Sequence, residues 1–370
     1  MRILYDHQCF AQQQYGGVSR YHYQLIKELV KLQNVEAKLS LTYSNNYYID
    51  KDKYFDVKKF FPNHSFFFKR TILDHINRID TIKLLKKGNY DIFHPTYYDP
   101  YFLKYLKGKP FFITVYDTIH EKYPEIINSI DKTLENKKVV LSKAKIILAI
   151  SNSTKKDLIQ LYNIPAERIE VVYLAASINK QIALPKGKLN LPEKYILFVG
   201  NRDFYKNFKN FILALEPLLK EHKDLFLIAA GGGGFTKEEN KYFHSMQLEN
   251  KIIHFGADDK TLAALYSNAL AFIFPTLYEG FGIPALEAMN CDCPVIMSDT
   301  SSLPEVGGNA AIYFDPNNTD DMRNKIASVI FNSELREELI NKAALQRNKF
   351  SFEKTAKHTF EVYKRFLNDR

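Results

Sequence analysis

Short apolar runs of strand length recur along the chain, separated by longer stretches in which apolar residues return every three or four positions. That alternation predicts an α/β protein whose parallel strands are joined by crossover helices. In the first half, Arg2 to Tyr5, Ala37 to Thr42, Ile92-Phe93, Phe111 to Val115, Ile146 to Ile150 and Glu170 to Tyr173 read as strands. In the second half, Ile196 to Val199, Leu225 to Ala230, Ile252 to Phe255, Ala271 to Phe274 and Pro294 to Met297 do so. Between the two sets, residues 177–194 carry Pro185, Gly187 and Pro192 among lysines, a linker composition. The pattern therefore divides the chain into domains at 1–176 and 195–350, with a final stretch at 351–370. In that stretch Phe352, Ala356, Phe360, Tyr363 and Phe366 recur at helical spacing, which predicts an amphipathic helix packing by one face.

A length of 370 residues agrees with two domains, and 25% charged with 46% hydrophobic residues is ordinary for a globular chain with ample core. Three cysteines, Cys9, Cys291 and Cys293, cannot all pair within the chain, which points to a reducing compartment and no structural zinc. No apolar run has membrane-spanning length, and Met1 to Asp6 turns polar too soon for a signal peptide, so a cytoplasmic location is expected. Lysine and arginine total 51 against 42 acidic residues, a formal charge of +9. Basic and aromatic residues mix densely from Tyr47 to Lys87, notably at Lys58, Lys59, Phe60, Phe61, Phe66, Phe67, Phe68, Lys69, Arg70, Lys83, Lys86 and Lys87. Such a patch suits anionic lipid headgroups or a lipid pyrophosphate, and equally a solvated surface over buried phenylalanines. No nucleic-acid-binding motif accompanies it, so nucleic acid is not an expected partner.

The most specific chemistry lies at Tyr278-Glu279-Gly280-Phe281-Gly282-Ile283-Pro284-Ala285-Leu286-Glu287. An apolar run precedes it and Pro284 stands where a helix begins, so the unit reads strand, glycine turn, helix. Such a turn puts backbone N–H groups at the positive end of a helix dipole and suits an anion. Carboxylates on either side would repel a phosphate unless they accept hydrogen bonds from neutral hydroxyls, which sugars supply. A nucleoside diphosphate sugar offers a ribose diol at one end of its pyrophosphate and a hexose at the other.

These residues resemble the signature of glycosyltransferase family 4, two glutamates around a Gly-Phe-Gly turn. The resemblance runs from about Tyr195 to Pro316, taking in Pro294-Val295-Ile296, Ser301-Ser302-Leu303-Pro304-Glu305-Val306 and Phe314-Asp315-Pro316, and continues more faintly through the first half. It implies the GT-B fold: two Rossmann-like domains facing across a cleft, the first binding the acceptor and the second the nucleotide sugar, with the last helix crossing back to the first. It implies retaining transfer of a hexose from a nucleoside diphosphate sugar, GDP-mannose first and a UDP-sugar second, to a glycan or lipid-linked glycan acceptor in lipopolysaccharide, O-antigen or capsule synthesis. No cofactor and no metal are expected.

On the family pattern, Glu287 is expected at the ribose, Glu279 with the backbone of Gly280, Phe281, Gly282, Ile283 and Pro284 at the sugar, and Arg202 and Lys206 at the pyrophosphate. Fixed cations there stabilise the charge that grows on the departing phosphate. Arg202 stands one position later, relative to Gly200, than the family usually has it, while Lys206-Asn207 keeps its place. In the first half, Gly16 and Gly17 resemble the Gly-Gly loop that approaches the sugar and phosphates. Tyr116-Asp117 stands where the family commonly has His-Asp, so either Tyr116 or the nearby His120 is expected at the donor sugar. The run Gly231 to Gly234 reads as a flexible edge of the site, and Asp258-Asp259 and Asp320-Asp321 as helix caps. The replaced histidine and displaced arginine leave open a second reading, a non-catalytic nucleotide-sugar-binding partner of another enzyme.

Overall fold

The structure is a computed structural model that describes residues 1–50, 54–126, 131–185, 187–202, 204–256 and 258–368; Lys186 and Asp203, both in stretches singled out above, lie outside the described residues. Two compact units emerge, Met1–Leu174 together with Phe352–Arg370, and Ala175–Ser351.

The first unit holds β1 (Arg2–Tyr5), β2 (Glu36–Leu39), β3 (Ile92–His94), β4 (Phe112–Val115), β5 (Ile146–Ala149) and β6 (Ile169–Val171). All described pairings are parallel, in the orders β2-β1-β3 and β4-β5-β6, and a bridge between Phe93 and Phe111 joins the two groups. Ile3, Ile92, Phe112, Ile147 and Leu148 are buried, as near-continuous apolar strands covered on both faces should be. The helix Phe352–Asn368 packs beside the helix Gly17–Leu29. Its buried face is not the row of phenylalanines that the spacing suggested: Thr355, Ala356, Thr359, Val362 and Tyr363 are buried, while Phe352, Phe360 and Phe366 are only partly covered. The threonines tolerate burial because Thr355 donates to the Tyr173 carbonyl (2.8 Å) and Thr359 to the Thr355 carbonyl (2.8 Å).

The second unit holds β7 (Lys194–Val199), β8 (Leu225–Ala230), β9 (Ile252–Phe255), β10 (Ala271–Phe274), β11 (Val295–Ser298) and β12 (Ala311–Phe314), all parallel in the order β12-β11-β10-β7-β8-β9. Phe198, Phe211, Leu215, Leu227, Phe243, Ile273 and Ile326 build its core. Strand β12 (Ala311–Phe314) has no counterpart in the sequence reading; it is placed by its register with β11. Residues 177–194, expected to link the units, belong to this one: Ile178 is buried with its carbonyl accepting from Asn290 Nδ2 (3.2 Å), and Leu184 N donates to the Lys260 carbonyl (3.3 Å). After β7 the chain runs outward through β8 and β9, then returns to lay β10 against the other side of β7. That reversal is a topological switch point, where the loops leaving β7 and β10 diverge and a ligand finds room beyond the strand ends.

Candidate active site

The loops at the switch point are held together by backbone first. Leu277 N donates to the Tyr205 carbonyl (2.7 Å), and the buried Thr276 hydroxyl donates to the same oxygen (3.0 Å). Asn207, in the left-handed region at φ 58°, turns the β7 loop into the helix Phe208–Glu221, and its amide donates to the Pro316 carbonyl (2.7 Å). This fixes Lys206 opposite the signature turn, where its Nζ lies 2.6 Å from Glu279 Oε1. Both side chains are mostly shielded, at 14% and 12% exposure, so the pair sits in a medium that screens charge poorly.

Glu279 begins a turn braced by two serines whose roles sequence reasoning missed. Glu279 N donates to Ser301 Oγ (3.0 Å), and Ser302 Oγ bridges the carbonyls of Glu279 (2.9 Å) and Phe281 (2.8 Å). With those carbonyls drawn toward Ser302, the turn enters the helix Ile283–Asn290 through Gly282 at φ 115°, and Pro284 occupies the first turn. A side chain at 282 would be strained by that φ and would meet Leu303 Cδ2 at 2.8 Å. Pro284 brings no N–H, and Ala285 N (3.0 Å) and Leu286 N (3.4 Å) both donate to the Gly282 carbonyl, so what this end offers an oxyanion is the positive end of the helix dipole. One turn along, Glu287 is 6% exposed and accepts from the Tyr266 hydroxyl (3.4 Å). Burial, and then the Glu287 charge, push the Tyr266 phenol well above its ordinary range, so it stays a donor. The Ser301-Ser302 pair after β11 was the available signal for this bracing.

Arg202 is not brought to Lys206 and Glu279. Its Nε lies 2.5 Å from Glu239 Oε1, and its remaining nitrogens donate to the carbonyls of Gly231 (3.1 Å), Gly233 (3.1 Å) and Gly234 (3.0 Å). The guanidinium also lies 5.0 Å over the Phe235 ring. The arginine expected at a pyrophosphate is thus bonded to the carbonyls of the glycine run expected as an edge of the site. Its one-residue displacement along the loop is the sequence feature that accompanies the change.

In the first unit, Gly16 and Gly17 open the helix Gly17–Leu29, with Gln13 Oε1 accepting from Ser19 N (3.3 Å) where no capping side chain exists. Tyr116, at the end of β4, is turned into the core: its hydroxyl lies 2.5 Å from His22 Nε2. Around it a buried polar network runs from His94 Nε2 to Thr114 Oγ1 (3.0 Å), from Tyr21 to the same oxygen (3.3 Å), and from His94 Nδ1 through the Tyr363 hydroxyl to Tyr5 (3.0 Å). Burial depresses His22 well below its usual value and takes His94 to about 3, so both are neutral at pH 7. Asp117 turns back to accept from Ile119 N (3.1 Å), and its carbonyl accepts from Lys137 Nζ (2.6 Å). His120 is half-buried on the short helix Ile119–Lys122, where the next two residues are both ion-paired, Glu121 to Lys137 at 2.6 Å and Lys122 to Asp157 at 2.8 Å. His94, at the end of β3, belongs to the core.

Asp258 caps its helix, accepting from Thr261 N at 2.8 Å, whereas Asn318, not the aspartates beside it, caps the helix Thr319–Ile330. Among the described residues no group of three or more His, Cys, Asp or Glu side chains is placed to hold a metal ion. Nor is any described helix long and apolar enough to cross a membrane.

Comparison with known proteins agrees over both units. Residues 15–179 match the model described as Glycosyltransferase Family 4, and residues 179–346 the model described as Glycosyl transferases group 1. The O-antigen chain mannosyltransferase B of Escherichia coli is 31% identical over 287 residues, 74% of each chain. The chain belongs to glycosyltransferase family 4. Another relative, the O-antigen chain mannosyltransferase RfbU of Salmonella typhimurium, is 29% identical over 193 residues, 52% of this chain and 53% of that protein. A sucrose-phosphate synthase from Thermosynechococcus elongatus superposes with a TM-score of 0.77 at 18% identity, covering 100% of this chain and 99% of that one. The two parallel-sheet units of this family 4 glycosyltransferase are thus those of the GT-B fold.

Proposed function

We propose that this glycosyltransferase moves a mannosyl group from GDP-mannose, with retention at the anomeric carbon and without a metal, to a glycan or lipid-linked glycan at an anionic membrane surface. The Lys206–Glu279 pair at the switch point carries the reading. When the glycosidic bond breaks, negative charge accumulates on the outer phosphate, and a fixed, shielded ammonium stabilises that state more than the bound donor. Glu279, at the mouth of the Gly280–Pro284 turn, accepts hydroxyls of the sugar, and Glu287 those of the ribose. Arg202 acts at one remove, as a positioning residue that holds the glycine turn 231–234. No side chain near the pair is assigned as base; on this reading the leaving phosphate oxygen takes the acceptor hydroxyl's proton as the new bond forms on the same face. The mannosyl choice rests on likeness to the two O-antigen chain mannosyltransferases, and the membrane on the exposed Phe61, Phe66, Phe67 and Phe68 with the basic residues around them.

The burial of the Tyr116 hydroxyl against His22 favours the second reading, a nucleotide-sugar-binding subunit without transfer. One experiment separates them. Thermal unfolding with GDP, UDP, ADP and their sugars, with and without EDTA, should show stabilisation by GDP and GDP-mannose unaffected by the chelator, about 2.7 kcal/mol at a hundredfold excess over Kd. Slow release of mannose from GDP-mannose without acceptor, abolished in Glu279→Ala, would mark an enzyme; binding with no turnover would leave the partner subunit. A shift with no nucleotide at all would end both readings.

A further inference from the structure

Lysine is almost never fully buried unless it is paired, and in the first unit Lys137 is 2% exposed. It belongs to the helix Thr133–Lys143. Its Nζ donates to the Asp117 carbonyl (2.6 Å), lies 2.6 Å from Glu121 Oε1 and sits 5.5 Å over the Tyr98 ring. The Glu121 side chain is only 9% exposed, and the Tyr162 hydroxyl donates to the same Oε1 (2.5 Å). Its Oε2 is sealed from solvent with no hydrogen-bond partner among the described residues. Burial, and then Glu121, push the Tyr162 phenol up, so it remains the donor. A second buried charge holds the same stretch: Asp157, on the helix Asn152–Tyr162, accepts from the Thr118 hydroxyl (3.0 Å) and pairs with Lys122 at 2.8 Å. The chain from Asp117 to Lys122 is thus tied to two helices through charges those helices bury.

That is a costly way to fix a loop. Taking an ammonium and a carboxylate out of water costs more than their attraction returns unless every polar atom is satisfied, and apolar side chains of similar size often pack such a position at least as stably. At Glu121 Oε2 the satisfaction is incomplete. What the pair provides and apolar packing does not is direction, because one ammonium fixes a backbone carbonyl and a carboxylate together and so sets the path of the chain between them. The path lies beyond the carboxyl end of β4, the end of a parallel strand at which open α/β sheets bind ligands. It carries Asp117 and His120, both partly exposed, while the Tyr116 hydroxyl is held by His22.

We propose that Lys137 and Glu121 are positioning residues for sugar transfer, a buried pair that holds Asp117 and His120 where they meet a sugar of the substrate. The inference rests on the transferase reading above and adds to it two residues that touch no substrate themselves.

The test replaces the pair by uncharged side chains. Lys137→Met alone leaves a buried carboxylate without its cation and should lower the melting temperature strongly; adding Glu121→Gln, whose amide oxygen still accepts from Tyr162, should recover most of that loss. In the double variant, amide hydrogen exchange over residues 117–122 should be at least tenfold faster than in wild type. Release of mannose from GDP-mannose should fall about ten- to a hundredfold in kcat, as small misplacements do, with GDP-induced stabilisation unchanged. Stability regained without activity is the result that a merely structural pair would not give. Wild-type turnover or wild-type exchange in the stable double variant overturns the assignment, and so does a loss of turnover accompanied by loss of GDP binding, which a general disturbance explains. Should the double variant not fold, Glu121→Gln alone carries the test, because it takes the countercharge from Lys137 and keeps the side-chain shape. Faster exchange with lower kcat in it supports the assignment, and wild-type values overturn it. If wild type binds no GDP and releases no mannose, the transferase reading fails, and exchange in the variants still shows whether the pair sets the loop.

Discussion

Two glycine-rich turns follow parallel strands in the second unit, and they are electrically opposite. At Gly280–Gly282 the Ser302 hydroxyl takes the carbonyls of Glu279 and Phe281 and the chain enters a helix, whose positive end starts in the turn that Lys206 faces through Glu279. At Gly231–Gly234 three consecutive glycines adopt positive φ, from 68° to 82°, and the carbonyls converge on Arg202. The first turn suits an anion; the second is already filled by a cation. Glycine content permits both, because it removes the Cβ penalty without choosing which way the peptide dipoles face. The choice is made by what lies next to the turn.

That contrast is open to breakage, and the largest effect is expected at Lys206. Lys206→Ala should reduce kcat by about 10²–10³, as loss of a transition-state-stabilising group does, with a smaller change in GDP affinity; steady-state kinetics decide, and near-normal kcat would remove the lysine from the chemistry. Arg202→Ala should act on the other turn, lowering stability by about 2–3 kcal/mol through lost charge-assisted bonds while kcat of the folded enzyme stays within a few-fold of wild type. Urea unfolding beside kinetics would show it, and a kcat loss matching that of Lys206→Ala would make the two arginine and lysine roles alike. Gly232→Ala, which forces an L residue to φ 68° and sets a Cβ 2.9 Å from the Gly200 carbonyl, should cost roughly 1–3 kcal/mol without touching GDP binding. Gly282→Ala, at φ 115°, should weaken GDP binding as well, so the ratio of affinity loss to stability loss separates the turns.

The smallest effect concerns pH. Burial raises the Glu239 carboxyl, but Arg202 and the Thr236 backbone outweigh it and hold the folded group below its ordinary 4.5. Its contribution is therefore complete above the unfolded value and lost as pH falls through the folded one. Between pH 5 and 3, wild type should lose more melting temperature than Glu239→Gln; parallel slopes would deny the ion pair a share in holding the turn.

Much of this was readable in advance. Strands buried on both faces announce themselves as continuous apolar runs, so β8 and β10 fall where the pattern places them. The final helix was evident too, but not its buried face, since hydropathy assigns threonine to water and cannot anticipate that Thr355 and Thr359 would satisfy themselves on carbonyls. The turn at 280–284, with Glu279, Glu287 and Lys206, was legible because local chemistry and spacing constrain it. Tyr116 shows the reverse: its place at the end of β4 was clear, yet nothing in Tyr116-Asp117 foretold a hydroxyl held by His22, 94 positions away.

The sequence by itself determined which residues could do the work: two glutamates around a glycine turn, a lysine after the first strand of the second unit, and a family whose members transfer sugars. Only the tertiary structure decided which of them meet. Lys206 and Glu279 lie 73 positions apart and are joined because the strand order reverses between β7 and β10. Arg202, four positions from Lys206, is drawn to the other side by a carboxylate on a different helix. A residue's chemistry is carried by its side chain, but its partners are set by strand order and by backbone polar groups that must all be satisfied once buried.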